Sequence, residues 1–235
     1  MSRKPVTALP PSNSAATRDP PVLRLQRVLA RPDAGARAPM SFTVAVGGAC
    51  FLTGEAGSGK TALLETIALA RPPARGGLEL FGKDVARVRP TNRYAVRRRL
   101  GVIFQDLRLI DELSSHDNIA LAARAAGRRA GSYDREIGEL LAWVGLARRA
   151  DTPAADLDEE GRRRLAVARA VINRPDLVIA DEPSGGTGLA ILRLLSDLNQ
   201  AGTAMLIATR DADLAMRSGA EVIDLSATSA SGSAP

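Results

Sequence analysis

The chain has little cysteine, little histidine and few aromatic residues. Among its 235 residues are one Cys and one His, and Phe, Trp and Tyr together make up 3%. A lone Cys50 rules out a disulfide within the chain, which agrees with a reducing compartment, and a buried inert thiol is expected there. With so few rings, Leu, Ile, Val and Ala must fill the core, and an apolar content of 45% is enough to build one. Long apolar runs are missing too. None reaches the length of a membrane-spanning helix. Arg3 and Lys4 have no apolar stretch behind them, so no secretory signal is expected. The expectation is a cytoplasmic protein, held at a membrane only through a partner.

Positive charge is in excess, at +6 with a pI near 10.3, and arginine carries it. We read most of this as compositional habit. The runs Arg97-Arg98-Arg99 and Arg162-Arg163-Arg164 lack interleaved aromatics, and no nucleic-acid motif accompanies them. A solvated basic face, or attraction to anionic lipid, explains them better, and no nucleic-acid partner is expected.

Along the chain, residues 1–21 are rich in Pro, Ser, Ala and Thr without periodicity and read as a disordered arm. Strands are expected at Val22–Val28, Ser41–Val46, Ala49–Thr53, Leu78–Phe81, Gly101–Gln105, Leu177–Ala180, Ala204–Ala208 and Glu221–Leu225. Helices are expected at Ala62–Ala70, Tyr94–Leu100, Asp158–Ile172 and Leu189–Asn199, with a helical pattern from His116 to about Arg149. Residues 226–235 read as a flexible tail. Apolar strands alternating with helices imply an α/β domain around a parallel sheet, and the early strands imply an antiparallel flap.

The richest motif is Gly54-Glu55-Ala56-Gly57-Ser58-Gly59-Lys60-Thr61. It matches the phosphate-binding loop pattern, in which glycines let successive N–H groups turn inward around phosphate oxygens. Lys60 is placed to reach the β- and γ-phosphates, and the Thr61 hydroxyl to ligate Mg²⁺. A strand precedes the loop and a helix follows, so the helix dipole faces the anion. A second motif, Leu177-Val178-Ile179-Ala180-Asp181-Glu182-Pro183, is an apolar strand ending in two carboxylates. Beside a phosphate loop, Asp181 can hold Mg²⁺ through water while Glu182 orients an attacking water. Alone, the same residues would read as a strand leaving through an acidic turn.

Taken together, these residues resemble an ATP-binding cassette (ABC) ATPase over about residues 22–225. Lys60 and Thr61 match the family's first phosphate motif, Gln105 its Q-loop glutamine, and Asp181 and Glu182 its magnesium aspartate and catalytic glutamate. The resemblance implies an ABC-type P-loop fold: a mostly parallel core, an N-terminal antiparallel β subdomain and an inserted helical subdomain at about 106–165. It implies ATP and Mg²⁺ as ligands. Residues Gly54 to Thr61 would bind nucleotide, Thr61, Gln105 and Asp181 the metal, and Glu182 and Gln105 would serve catalysis.

Within the family the chain is most similar to the cell-division branch, the FtsE type, through Arg97–Ile110, His116–Leu121 and Ala208–Asp211. That similarity implies a homodimer, peripheral on the cytoplasmic face of the inner membrane. It would dock through Leu107–Asn118 on an FtsX-like integral membrane protein. Cassettes of lipoprotein-release and macrolide-export systems share much of the pattern. An exporter ATPase and a nucleotide-binding scaffold with little hydrolysis therefore stay open.

Four departures stand against the matches. The family's Leu-Ser-Gly-Gly signature aligns with Leu157-Asp158-Glu159-Glu160, which suits a plain helix start and would repel a triphosphate. The switch histidine is Arg210, which can contact a phosphate and cannot shuttle a proton near neutral pH. The segment Ser184–Gly188 lacks the D-loop aspartate. Leu29–Asp33 offers no aromatic for adenine, though Arg31 can stack by its guanidinium. The only histidine, His116, is expected at the surface or facing a partner. The pattern predicts that Mg-ATP binds and is hydrolysed slowly, or only in an unusual dimer.

Overall fold

A computed structural model describes residues 20–31, 39–185 and 189–225. The expected tail and nearly all of the expected arm lie outside these residues, as does the 186–188 part of the D-loop segment. In chain order the strands are β1 (Leu23–Leu29), β2 (Met40–Val44), β3 (Ala49–Thr53), β4 (Arg75–Leu80) and β5 (Lys83–Asp84). They continue as β6 (Leu100–Ile103), β7 (Leu177–Asp181), β8 (Ala204–Ala208) and β9 (Glu221–Asp224). The α-helices are α1 (Lys60–Ile67), α2 (Arg93–Arg97), α3 (Ser115–Ala125), α4 (Asp134–Trp143), α5 (Glu159–Val171), α6 (Leu189–Gln200) and α7 (Ala212–Arg217).

Two sheets result. An antiparallel sheet has the order β2-β1-β4-β5, and a parallel one the order β6-β7-β8-β3-β9. Every residue of β3, β7 and β8 is buried. That explains their unbroken apolar runs, because a parallel sheet is covered on both faces. Side chains alternate across the sheet. Phe51, Val178, Ala180, Met205 and Ile207 enter one core with α3, α4, α5 and α6. Cys50, Leu52, Leu177, Ile179 and Leu206 enter the other, with α1 and the antiparallel sheet. Each fully buried Leu or Ile is worth about 1.5–3 kcal/mol. The Cys50 thiol is pushed up to about 12, first by burial and then by the charge of Glu221, and is inert for that reason.

Several boundaries differ from expectation. Helix α1 begins at Lys60 rather than Ala62, because Gly59 itself is its N-cap in the left-handed region, and it ends at Ile67 rather than Ala70. Strand β6 stops at Ile103, two residues before Gln105. The stretch from His116 to Arg149 is no single helix: Gly127 and Gly131 both take positive φ and break it between α3 and α4. Helix α7 was not expected; Asp211 starts it by accepting a hydrogen bond from the Leu214 N–H at 2.8 Å. Among the described residues no helix is long and apolar enough to cross a membrane.

The chain that follows β6 is held in a tight path. Asn118 on α3 is buried, accepts from the Ile110 N–H and donates to the carbonyls of Ile110, Leu113 and Ser114. Arg169 on α5 donates to the carbonyls of Leu107 and Arg108, both of which sit at positive φ. Arg108 stacks on Phe104 at 3.6 Å and pairs with Asp106 at 3.3 Å and Glu65 at 3.5 Å.

Strand β6 lies directly against α5 at Gly101. A Cβ there would sit 2.7 Å from the Ala170 carbonyl oxygen and 3.0 Å from the Pro175 ring. Gly101→Ala is therefore expected to cost about 1–3 kcal/mol. Urea unfolding measures it, and an unchanged midpoint would show that strand and helix part without penalty.

Candidate functional site

The loop between β3 and α1 wraps the end of the helix. Gly54, Gly57 and Gly59 all have positive φ, which other residues rarely adopt, so the motif's glycines are needed for the backbone path. The Lys60 side chain is buried and bent back over the loop. Its ammonium donates to the Gly54 carbonyl, to the Glu55 carbonyl at 3.1 Å and to Ser58 Oγ at 3.3 Å. A cation and a helix N-terminus thus meet at one point.

Thr61 stands next to Lys60, and its Oγ1 donates to Asp181 Oδ2 at 2.7 Å, joining two motifs 120 positions apart. Asp181 ends β7 and is buried. Burial raises its pKa first; the Thr61 hydrogen bond and Lys60 oppose that shift. Burial likewise lowers the Lys60 pKa, against the pull of the Glu182 and Asp181 charges. Glu182 follows in the left-handed region, φ 47°, and its Oε1 lies 3.5 Å from Arg210 Nε.

One cavity of about 650 Å³ collects these groups. Ala56, Gly57, Ser58, Gly59, Lys60, Thr61, Gln105, Asp181, Glu182 and Arg210 line it, while Gly54 and Glu55 serve from behind through their carbonyls. Gln105 is exposed at the turn after β6. Val28, Leu29, Ala30 and Met40 form an apolar part of the wall, with Arg31 and Arg71 beside them. The size suits a nucleotide-scale ligand. The adjacent oxygens of Thr61 and Asp181 form a hard-donor pair, which suits Mg²⁺ completed by phosphate and water.

Other expected residues lie elsewhere. Asp158 caps α5, accepting from the Gly161 N–H at 2.8 Å, as its position after Leu157 predicts. Glu159 pairs with Arg163 at 2.8 Å and Glu160 with Arg164 at 2.5 Å, so both glutamates are compensated within their own helix. His116 lies outside the cavity, near Asp117 and Asp134 at 3.4 and 3.7 Å. Sequence reasoning missed two features: Arg71 on the wall, and the pairing of Arg210 with Glu182. No local pattern signals either: Arg71 is set on the wall by the turn after α1, and Arg210 meets Glu182 because β7 and β8 are neighbours in the sheet.

Known proteins agree with this geometry. The family described as "ABC transporter" matches residues 38–185. The cell division ATP-binding protein FtsE of Escherichia coli (strain K12) is 34% identical over 191 residues, covering 80% of this chain and 86% of that protein. The lipoprotein-releasing system ATP-binding protein LolD of Shewanella sp. (strain MR-7) is 37% identical over 172 residues, 71% of this chain and 74% of its own. Among solved structures, the dimeric post-hydrolysis state of the ATP-binding cassette MJ0796 bound to ADP and Pi superposes with a TM-score of 0.75 at 26% identity. That match covers 86% of this chain and 93% of MJ0796. The fold, the loop and the relatives give one conclusion: the chain belongs to the ATP-binding cassette family of ATPases.

Proposed function

We propose that this chain binds Mg-ATP as the nucleotide-binding subunit of an FtsE–FtsX-like complex in cell division. The single observation that carries the nucleotide reading is the shared cavity, where the loop's glycines and Lys60 meet the Thr61–Asp181 pair. Residues 22–225 act as one cassette domain, with a helical subdomain at about 106–165. The triphosphate lies on the N–H groups of Gly57 to Thr61. Lys60 exchanges its contacts with Gly54, Glu55 and Ser58 for phosphate oxygens. Thr61, Asp181 and Gln105 hold Mg²⁺, which offsets charge on the phosphates. Adenine rests on the apolar wall, with Arg31 over its face.

Glu182 orients the attacking water at the end of β7. Turnover is slow for two reasons on this chain. The helix start at Asp158–Glu160 is acidic and its cap takes the Gly161 N–H, so it sets carboxylates where a second phosphate would need donors. Arg210 replaces a proton-shuttling group with a permanent cation beside Glu182.

Docking falls to Leu107–Asn118, whose path the buried Asn118 defines and where Ile110 is exposed. The chain acts as a homodimer on the cytoplasmic face of the inner membrane, associated through its partner. The similarity to the cell division ATP-binding protein FtsE supports this reading. A second reading, an exporter ATPase, is favoured by the similarity to LolD of a lipoprotein-releasing system.

Lys60→Ala is expected to weaken Mg-ATP binding by about tenfold or more, the value of one strong charge-assisted contact. Thr61→Val is expected to abolish the effect of Mg²⁺ on that affinity. Titration with a fluorescent ATP analogue, with and without Mg²⁺, reads both; unchanged affinity in Lys60→Ala refutes the site. Phosphate release by the wild type is expected below about 1 s⁻¹, the low end of ordinary enzyme rates, and to vanish in Glu182→Gln. Brisk turnover would end the slow-hydrolysis view. Co-purification from membranes is expected to recover an FtsX-like protein; recovery of a solute or lipid permease instead would favour the exporter reading.

A further inference from the structure

The net positive charge of the chain is gathered in one place. Between Lys83 and Arg99 stand one lysine and six arginines against a single carboxylate, Asp84. That stretch alone carries +6, the formal charge of the whole chain, so the remaining residues balance one another. Helix α2 lies within it. Because α2 precedes β6, and the parallel strands all run towards the phosphate loop, it stands at the opposite end of the sheet.

The helix is fixed to the body and turned outward. Val96 is its one buried residue, and the rest of it is exposed. Arg97 donates to the Leu69 carbonyl beyond α1, and Arg98 to the Ala126 carbonyl beyond α3 at 3.0 Å. Carbonyls are neutral, so neither guanidinium loses its charge to a carboxylate. Arg89 and Arg93 are exposed and have no side-chain partner among the described residues. Of the six arginines, Arg87 and Arg99 meet carboxylates, Asp84 at 3.2 Å and Asp176 at 2.7 Å. Arg98 also shares a cavity of about 380 Å³ with Arg128 and Arg174. Glu136 pairs with those two at 2.7 and 3.2 Å, and positive charge is left over. On α2, Tyr94 neighbours Arg93, Arg97 and Arg98. It is 66% exposed and is the one large exposed hydrophobic among the described residues of this stretch.

Uncompensated arginines around one amphipathic ring match a particular partner. Single-stranded nucleic acid asks for several aromatics on which bases stack, and a stable protein interface asks for an apolar core. An anionic bilayer asks for neither. Its surface potential attracts each cation, and a tyrosine ring settles at headgroup level.

We propose that residues 83–99 bind the surface of an anionic phospholipid bilayer, with Tyr94 among the headgroups and Arg89, Arg93, Arg97 and Arg98 on the lipid phosphates. This contact adds to attachment through an integral partner and does not depend on the Mg-ATP reading.

The test is co-sedimentation of the full chain with phosphatidylcholine vesicles, with and without about a quarter phosphatidylglycerol. Binding is expected to the anionic vesicles alone and to fall as salt rises. Arg93→Gln is expected to weaken it about fivefold, and Arg89→Gln with Arg93→Gln more than about tenfold. Lysine at both positions is expected to keep most of the binding. Tyr94→Ser is expected to weaken it severalfold. Arg217→Gln, on α7 next to the far strand β9, removes the same charge and is expected to leave binding within about twofold. Equal binding to neutral vesicles, no binding to anionic ones, or unchanged binding in the double glutamine variant or in Tyr94→Ser would overturn the proposal. So would an equal loss in Arg217→Gln, which would make net charge alone responsible. Displacement from the vesicles by duplex DNA at equal phosphate concentration would overturn it in favour of nucleic acid.

Discussion

Burial of β3, β7 and β8 on both faces sets where every functional group can stand. These strands run parallel in adjacent positions and carry no polar side chain until their carboxyl ends. An unpaired polar group within them would face a core on either side and cost several kcal/mol. Polarity is therefore postponed to Thr53, Asp181 and Thr209, at or just past one edge of the sheet. The phosphate-loop motif, the paired carboxylates and Arg210 all emerge there. The site is the place where three apolar strands run out.

The charges at that edge are matched rather than merely collected. Lys60 is satisfied by carbonyls and a hydroxyl of its own loop, and Asp181 by Thr61. Glu182 has Arg210. Lys60 and Arg210 stand in one cavity with Asp181 and Glu182, so this polar cluster is compensated without ligand. Lys60, Asp181 and Glu182 each have a partner already in place. The Q-loop side is held as firmly, through Arg169, Arg108 and Asn118, whose hydrogen bonds fix a backbone with two consecutive residues at positive φ.

The departures from the family pattern have a physical home. Asp158, Glu159 and Glu160 open α5 as a good helix start should, with a cap and two i,i+4 pairs to Arg163 and Arg164. Arg163 reaches further, toward the carbonyls of Glu182 and Pro183 at 3.4 and 3.5 Å, and fills the space where a Cβ on Gly185 would stand. The acidic helix start is thus tied to the exit of β7 within one chain, and Gly185 is small because a guanidinium lies against it.

Sequence alone determined the local parts of this protein. The loop glycines demand positive φ, the unbroken apolar runs demand a sheet covered on both faces, and Asp158 before two glutamates demands a helix start; each rests on neighbouring residues and could be read without coordinates. Boundaries beside the loop and Q-loop were less legible, since Gly59 is recruited as a cap and β6 ends early for reasons of packing. Helix α7, six residues with little periodicity, gave no signal. Tertiary structure alone decided which groups meet. Thr61 reaches Asp181 across 120 positions, and Arg210 reaches Glu182, because the parallel sheet places β7 and β8 side by side and β3 next to β8. Strand order is a long-range packing outcome, and no residue pattern within a single strand encodes its neighbours.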